Sequence, residues 1–202
     1  MRRAFQIVAQ IVALAALAGC AQGGLSGLPS DQQADARRVE RYFAAMGPMR
    51  AQVVQTWPDG SASTGTLDYV PGMMRVDYGA PRPMQMVAGH GHIVVQDAAS
   101  GSLTRLSLSR NPLGLLLRTP VRFDRGIAVT SVQRGRGWLQ LSVSEADNPS
   151  QGRLTLQFAD AATGLSLLGL DGVDARGHEL VLHFTGWTKV AGFPEGTFND
   201  PQ

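Results

Sequence analysis

The sequence predicts a mainly β protein: a large, curved, antiparallel sheet of about eleven strands with few helices to cover it. Three observations carry this. From Arg50 onward the apolar period is two. Turn signals such as Pro58-Asp59-Gly60, Pro71-Gly72, Ala99-Ser100-Gly101 and Asp171-Gly172 break the chain into short runs. The 24 glycines and 11 prolines in 202 residues supply the turns that so many strands need.

The chain opens with a targeting segment. Met1-Arg2-Arg3 is a short basic head, and Ala4 to Ala18 is largely apolar, broken only by Gln6 and Gln10. Head and apolar run match a secretory signal. The run is too short for a comfortable transmembrane helix, which needs roughly 20 apolar residues. Cys20 is the only cysteine and cannot form an internal disulfide. Leu17-Ala18-Gly19-Cys20 resembles the bacterial lipobox. That resemblance implies a signal peptide over 1–19, cleavage after Gly19, and acylation (palmitate-type chains) at Cys20. One acyl chain holds a protein marginally and two or more hold it durably. With Ala21 rather than Asp after the cysteine, the enteric sorting rule implies the outer membrane, on the periplasmic side of the envelope.

Removing residues 1–19 from 202 leaves 183, a length for one domain. The 18 Lys+Arg lose Arg2 and Arg3 with the signal, leaving 16 against 16 Asp+Glu. The basic excess therefore belongs to targeting and gives no argument for a nucleic-acid partner, which needs a basic patch or stripe.

Residues 20–29 read as a lipidated, Gly-rich flexible linker, and 30–202 as the folded domain. Pro29-Ser30-Asp31 looks like a helix start with Ser30 as N-cap. Val39, Tyr42, Phe43 and Met46 then recur at helical spacing until Gly47-Pro48, giving about four turns with one apolar face. Strands are expected near 51–57, 64–70, 73–79, 84–88, 92–97, 103–109, 127–133, 137–144, 152–158, 165–171 and 178–185. Leu139, Leu141 and Val143 alternate with polar neighbours, as do Leu154, Leu156 and Phe158, so each strand has one apolar and one wet face. Asn111-Pro112, followed by Leu113, Leu115, Leu116 and Leu117, is read as a short helix across the sheet mouth; a buried connector is the alternative. So few helices leave a concave face partly open to something apolar.

The order of these pieces resembles the LolA/LolB family of outer-membrane lipoprotein carriers. The matching stretches are Val39–Met46 with Arg50–Gln55, Gly65–Tyr69, Pro71–Tyr78 followed by Pro81, Val87–Asp97, and Asn111–Leu117. The resemblance implies an incomplete antiparallel β-barrel with a small α-helical lid, whose apolar cavity takes lipoprotein acyl chains and passes them toward the outer membrane. It implies no enzyme activity and no cofactor. The alternative is a membrane-tethered module for another envelope lipid, or a LolB-like receptor. Partners are then acyl chains or other envelope lipids, the membrane through Cys20, and lipoprotein-export machinery. Family carriers typically have Arg before the proline of the third-strand turn, closing the lid; here Val70 stands there, before Pro71. The lipid-cavity candidates are Phe43, Val53, Val70, Leu115 and Leu116.

Other chemistry lacks support. His90 and His92 would share a face of a strand that reached back to residue 90, but zinc wants three or four ligands and the lone cysteine is used for lipid, so no metal site is assigned. No Gly-x-Ser-x-Gly elbow exists for Ser/His/Asp hydrolysis. Gly89-His90-Gly91 lacks the Lys-Ser/Thr and helix of a phosphate loop.

Overall fold

A computed structural model describes residues 24–202; Cys20, the signal segment and the start of the linker lie outside these residues. Among the described residues one α-helix, α1 (Ser30–Ala45), precedes eleven strands: β1 (Met49–Thr56), β2 (Ala62–Val70), β3 (Met73–Tyr78), β4 (Met84–Gly89), β5 (His92–Asp97), β6 (Leu103–Ser107), β7 (Ile127–Gly135), β8 (Trp138–Glu145), β9 (Gly152–Ala161), β10 (Gly164–Asp174) and β11 (Glu179–Lys189). All form one antiparallel sheet, in the order β6-β5-β4-β3-β2-β1-β11-β10-β9-β8-β7. Each expected strand is present. Within residues 24–202 the helix and the strands share one core cluster.

The sheet is curved and not closed. β6 and β7 follow one another in sequence yet form its two edges. The chain between them, residues 108–126, must therefore cross the opening. β1 pairs with β11, which joins the first and last parts of the sheet.

One face is continuous across the strands. Val53 lies opposite Gly65 and Phe184. Leu156 lies between Leu141 and Leu170, and Phe158 between Leu139 and Leu167. Leu141, Val143, Leu154, Leu156 and Leu182 have no exposed surface. Each such side chain gains about 1.5–3 kcal/mol by burial.

Helix α1 buries Asp35, Ala36, Val39 and Phe43 along one stripe. Tyr42, Phe43 and Phe158 meet edge to face at centroid distances of 5.3 to 6.4 Å. Ser30 is the first helical residue rather than the cap. Pro29 takes the cap position and makes no side-chain bond. The Pro29 carbonyl accepts from the Gln33 N–H, and the Gln33 side chain donates to the Leu28 carbonyl. Before the helix, Leu25 is 7% exposed and belongs to the core cluster.

The helix carries a buried charge. Asp35 is 3% exposed and is met by Arg38 at 3.0 Å and Arg134 at 3.2 Å. Arg38 also forms two hydrogen bonds to the Asp160 carboxylate on β9, clamping helix to sheet in the planar geometry a guanidinium favours. These bonds hold the Asp160 carboxyl below its ordinary 3.8. A depressed folded pKa contributes stability that is complete above the unfolded value and is lost as pH falls through the folded one. The thermal midpoint should therefore drop as pH falls below 3.8, and Asp160→Asn should flatten that acid limb. Circular-dichroism melts across pH 2.5 to 7 (roughly the span over which carboxylates titrate) check it; an unchanged limb in the variant would contradict the assignment.

β10 bulges between Leu167 and Gly169, where a bulge disrupts the ladder. The Leu167 N–H donates to the Tyr42 hydroxyl at 3.2 Å, and the Leu167 carbonyl accepts from Trp187 Nε1 at 2.7 Å. Two aromatic side chains thus bond the backbone beside the irregularity.

Candidate functional site: an apolar cavity under the crossing segment

The crossing segment is not an α-helix. It forms two 3₁₀ turns, Leu108–Arg110 and Pro112–Leu115. Successive i→i+3 bonds set this geometry: Asn111 N–H to Leu108, Gly114 N–H to Asn111 and Leu116 N–H to Leu113. The Asn111 side chain accepts the Leu113 N–H at 2.9 Å. A Cβ on Gly114 would stand 2.3 Å from the Leu108 carbonyl oxygen, so the two turns close on each other only with glycine there. Leu113, Leu115 and Leu116 are 2%, 5% and 7% exposed.

Residues 111–117 divide the space beneath them. The largest of three described cavities, about 340 Å³, is walled by Tyr78, Met84, Met86, Ile93, Val95 and Leu154, with Leu113 as part of the cover. Its volume is at the low end of small-molecule sites, roughly 300–1,000 Å³. Gln55, Asp174, His178 and Glu179 also line it, and no Lys or Arg among the described residues does. A second cavity of about 240 Å³ shares Asn111 and Pro112 with the first and includes Leu115, Arg118 and Glu145. A third, about 30 Å³, lies among Phe43, Met46, Tyr69, Leu116, Phe184 and Trp187.

The polar border has its own structural duties. Asp174 and His178 flank a tight turn: Asp174 accepts from the backbone N–H groups of Arg176 and His178 and from His178 Nδ1 at 2.9 Å. Burial pushes the Asp174 carboxyl up, but these bonds outweigh it and hold the group below 3.8. Trp57 Nε1 donates to Ser63 Oγ at 3.0 Å, and Arg82 stacks on the Trp57 ring. His90 lies in the turn before β5 with φ +49°, off the strand that His92 opens, so the two do not share a strand face; His92 meets Asp200 of the C-terminal segment at 3.0 Å.

The sequence-derived candidates are dispersed. Phe43 and Leu116 line the smallest cavity and Leu115 the second. Val53 is 1% exposed within the sheet and borders none of the three. Val70 pairs with Met73 across the Pro71-Gly72 turn, where Gly72 has φ +90°, as position i+2 of such a turn requires. Tyr69 faces the concave side, so Val70 alternates to the other. The crossing segment is tied instead through Arg118, which donates to Glu145 on β8 at 2.7 Å and to the Arg125 carbonyl. The wall of the largest cavity (Met84, Met86, Ile93, Val95, Leu154) was legible only as strand alternation: Met84, Met86 and Ala88 recur at period two, and Met86 and Ala88 meet Val95 and Ile93 across the hairpin.

Eleven antiparallel strands around an apolar cavity, with a cover supplied by the edge-to-edge connection, frame the comparison with known families. Residues 46–200 match the family described as outer membrane lipoprotein carrier protein LolA. The chain belongs to the LolA family. The match takes in all eleven strands and the crossing segment, and begins where α1 ends. Among curated proteins, none matches the sequence. Solved structures that it is similar to include an uncharacterized conserved protein from Thermus thermophilus, at 11% identity and TM-score 0.48, covering 85% of this chain and 94% of that one. A DUF1329 family protein from Desulfovibrio piger is 9% identical at TM-score 0.48, with 81% and 94% covered. Mycobacterium tuberculosis lipoprotein LppX is 10% identical at TM-score 0.41, with 80% and 97% covered. Membership in the LolA family and the apolar cavity together support a lipid or lipoprotein carrier role.

Proposed function

We propose that this LolA-family chain binds lipoprotein acyl chains in the 340 Å³ cavity and passes them toward the outer membrane, without catalysis. The observation that carries the reading is the cavity itself: an apolar wall without Lys or Arg, beneath a cover whose leucines are themselves buried. A sixteen-carbon chain gains up to about 12 kcal/mol gross on burial, at about 0.8 kcal/mol per CH₂. Release therefore needs a receiving site that offers nearly as much. Met84 and Met86 suit a wall that adapts to different chains, because the thioether side chain is unbranched and polarizable.

In the same reading residues 1–19 are the signal peptide, 20–29 the lipidated link and 30–202 the binding domain. Acylated Cys20 holds the protein on the periplasmic side of the outer membrane. Partners are acyl chains and the lipoprotein-export machinery. A receiver or local carrier of the LolB kind, or a tethered module for another envelope lipid, is favoured over a free shuttle by one feature. Leu25 is packed into the core. Cys20 precedes it by five residues, at most roughly 18 Å of extended chain. An acylated Cys20 keeps the domain against the bilayer.

The mature chain carrying Cys20→Ala should bind a fluorescent fatty-acyl probe saturably, and a triacylated lipoprotein should displace it. Displacement by a glycolipid but not by the lipoprotein selects the other-lipid reading. Absence of saturable probe binding rejects acyl binding altogether.

A further inference from the structure

The outward face of α1 is cationic. Asp35, Ala36, Val39 and Phe43 turn inward. Arg37 and Arg41, one helical turn apart, stand opposite that stripe and are exposed, with exposed Ala34 and Ala44 beside them. Neither arginine side chain has an ion pair or hydrogen bond among the described residues.

The acids around this face are all engaged. On one flank Asp31 and Asp35 meet Arg134 at 3.5 and 3.2 Å, and Asp160 meets Arg38. On the other flank Glu40 accepts the Phe123 N–H at 2.7 Å and faces Arg122, which also pairs with Asp124. Arg136 lies two residues beyond Arg134, and Arg125 two beyond Phe123; both are exposed and their side chains have no partner among the described residues. The helix and its two flanks thus hold seven arginines against five acids, in a mature chain whose charges balance. The positive excess is local, and its outermost members are the unpaired ones.

The same helix is where the tether leads. Leu25 is packed in the core, a hydrogen-bonded turn joins it to Leu28, and α1 starts at Ser30. Five residues separate Leu25 from Cys20, at most roughly 18 Å of chain. Charges on a protein surface are screened within about 8 Å at physiological ionic strength. A tether this short brings the arginines into that range of an anionic bilayer.

We propose that the outward face of α1 docks on an anionic phospholipid surface, with Arg37 and Arg41 against the phosphates and Arg125 and Arg136 at the flanks. The choice of a bilayer as occupant rests on the tethered reading above, to which docking adds an orientation. The contact is independent of the cavity. α1 meets the sheet at Arg134, Phe158 and Asp160, toward the finishing ends of β7 and β9. Asp174 and His178, which line the largest cavity, lie at the other end of β9, where Gly152 pairs with Asp174. None of the four arginines lines a described cavity.

The test uses the mature chain carrying Cys20→Ala, co-sedimented with vesicles of phosphatidylcholine alone or of an equal mixture with phosphatidylglycerol. The chain should partition onto the mixed vesicles in preference, and added salt should remove the preference. A basic residue near an anionic surface raises partition roughly fivefold, so Arg37→Gln/Arg41→Gln should lose about ten- to thirtyfold. Arg153→Gln/Arg176→Gln makes the same change in net charge at the far end of β9 and should stay within about twofold of its parent. Equal losses in the two variants, or no preference by the parent for mixed vesicles, overturn the proposal. A second measurement keeps every arginine. With Cys20 acylated, a fluorophore on Ala34→Cys should be quenched by a headgroup-nitroxide lipid more strongly in mixed vesicles than in phosphatidylcholine, while one on Ser150→Cys should not change. Equal quenching of the Ala34 label in the two lipids overturns the proposal. Acyl-probe binding is read on the same proteins and should be unaltered in Arg37→Gln/Arg41→Gln. A parent chain that binds probe but shows no anionic preference refutes docking and leaves the cavity reading standing; one that prefers anionic vesicles but binds no probe does the reverse.

Discussion

Gly152→Ala is expected to lower the thermal midpoint by roughly 10 °C, the counterpart of about 3–5 kcal/mol in a protein of this size. Gly152 opens β9 with φ +131°, a conformation side chains rarely adopt. A Cβ there would stand 2.2 Å from the Val173 carbonyl oxygen, 2.8 Å from Pro112 Cγ and 3.0 Å from Asp174 Cα. Two of these are backbone atoms of the paired strand β10, so no side-chain rotation relieves them. The third belongs to the crossing segment, so the damage reaches the cavity cover as well. Gly164→Ala is the matched control: its φ is +120° but nothing lies within 4 Å of the added carbon. It should cost only the backbone strain, about 1–3 kcal/mol. Equal melting of the two variants would show that the contacts at Gly152 contribute nothing.

Met86→Glu should weaken acyl-probe binding at least about a hundredfold while the protein stays folded. Met86 is half-buried in β4, between Val76 and Val95, and lines the largest cavity. No Lys or Arg among the lining residues is there to pair with a carboxylate. With the cavity empty of ligand, water solvates the new charge and the cost is modest. An acyl chain strips that water, and an unpaired buried ion then costs several kcal/mol. Met86→Leu keeps the volume and polarity and should bind within a few-fold of wild type. Probe titrations with circular-dichroism spectra of all three proteins check both halves. Undiminished binding by a folded Met86→Glu protein would move the site to another cavity.

The strands were legible because their physics is local. Alternation at period two, interrupted by residues suited to turns, depends only on neighbours along the chain. Leu139, Leu141 and Val143, or Leu154, Leu156 and Phe158, announce a one-sided strand without knowledge of what lies beside it. The helix was legible for the same reason through Val39, Tyr42, Phe43 and Met46. Its first residue was misplaced by one because Pro29, not Ser30, stands in the cap position, with the Gln33 side chain bonded one residue further back, to the Leu28 carbonyl.

The site was less legible. An apolar residue that fills a core and one that walls a cavity carry the same local signal, so Val53 and Met86 could not be told apart from sequence. Which space stays empty depends on strands far apart in the chain: β3 to β6 supply one wall, β9 and β11 the other, and residues 111–117 divide the volume between them. The 3₁₀ form of that segment rests on its i→i+3 bonds, and its two turns close on each other only because Gly114 has no Cβ to meet the Leu108 carbonyl. The missing arginine before Pro71 was visible, but its alternative tie, Arg118 to Glu145, joins residues 27 positions apart.

By itself, then, the sequence determined a mainly β chain of about eleven strands, several with one apolar face, an amphipathic helix, and an apolar segment between prolines. Periodicity and turn chemistry are properties of a few consecutive residues. Only the tertiary structure decided that β6 and β7 become the open edges, that residues 108–126 must bridge them, and that Tyr78 is buried without a partner beside the largest cavity. Those outcomes come from strand pairing at long range, and an empty volume or an unmet hydroxyl exists only once every surrounding side chain is in place.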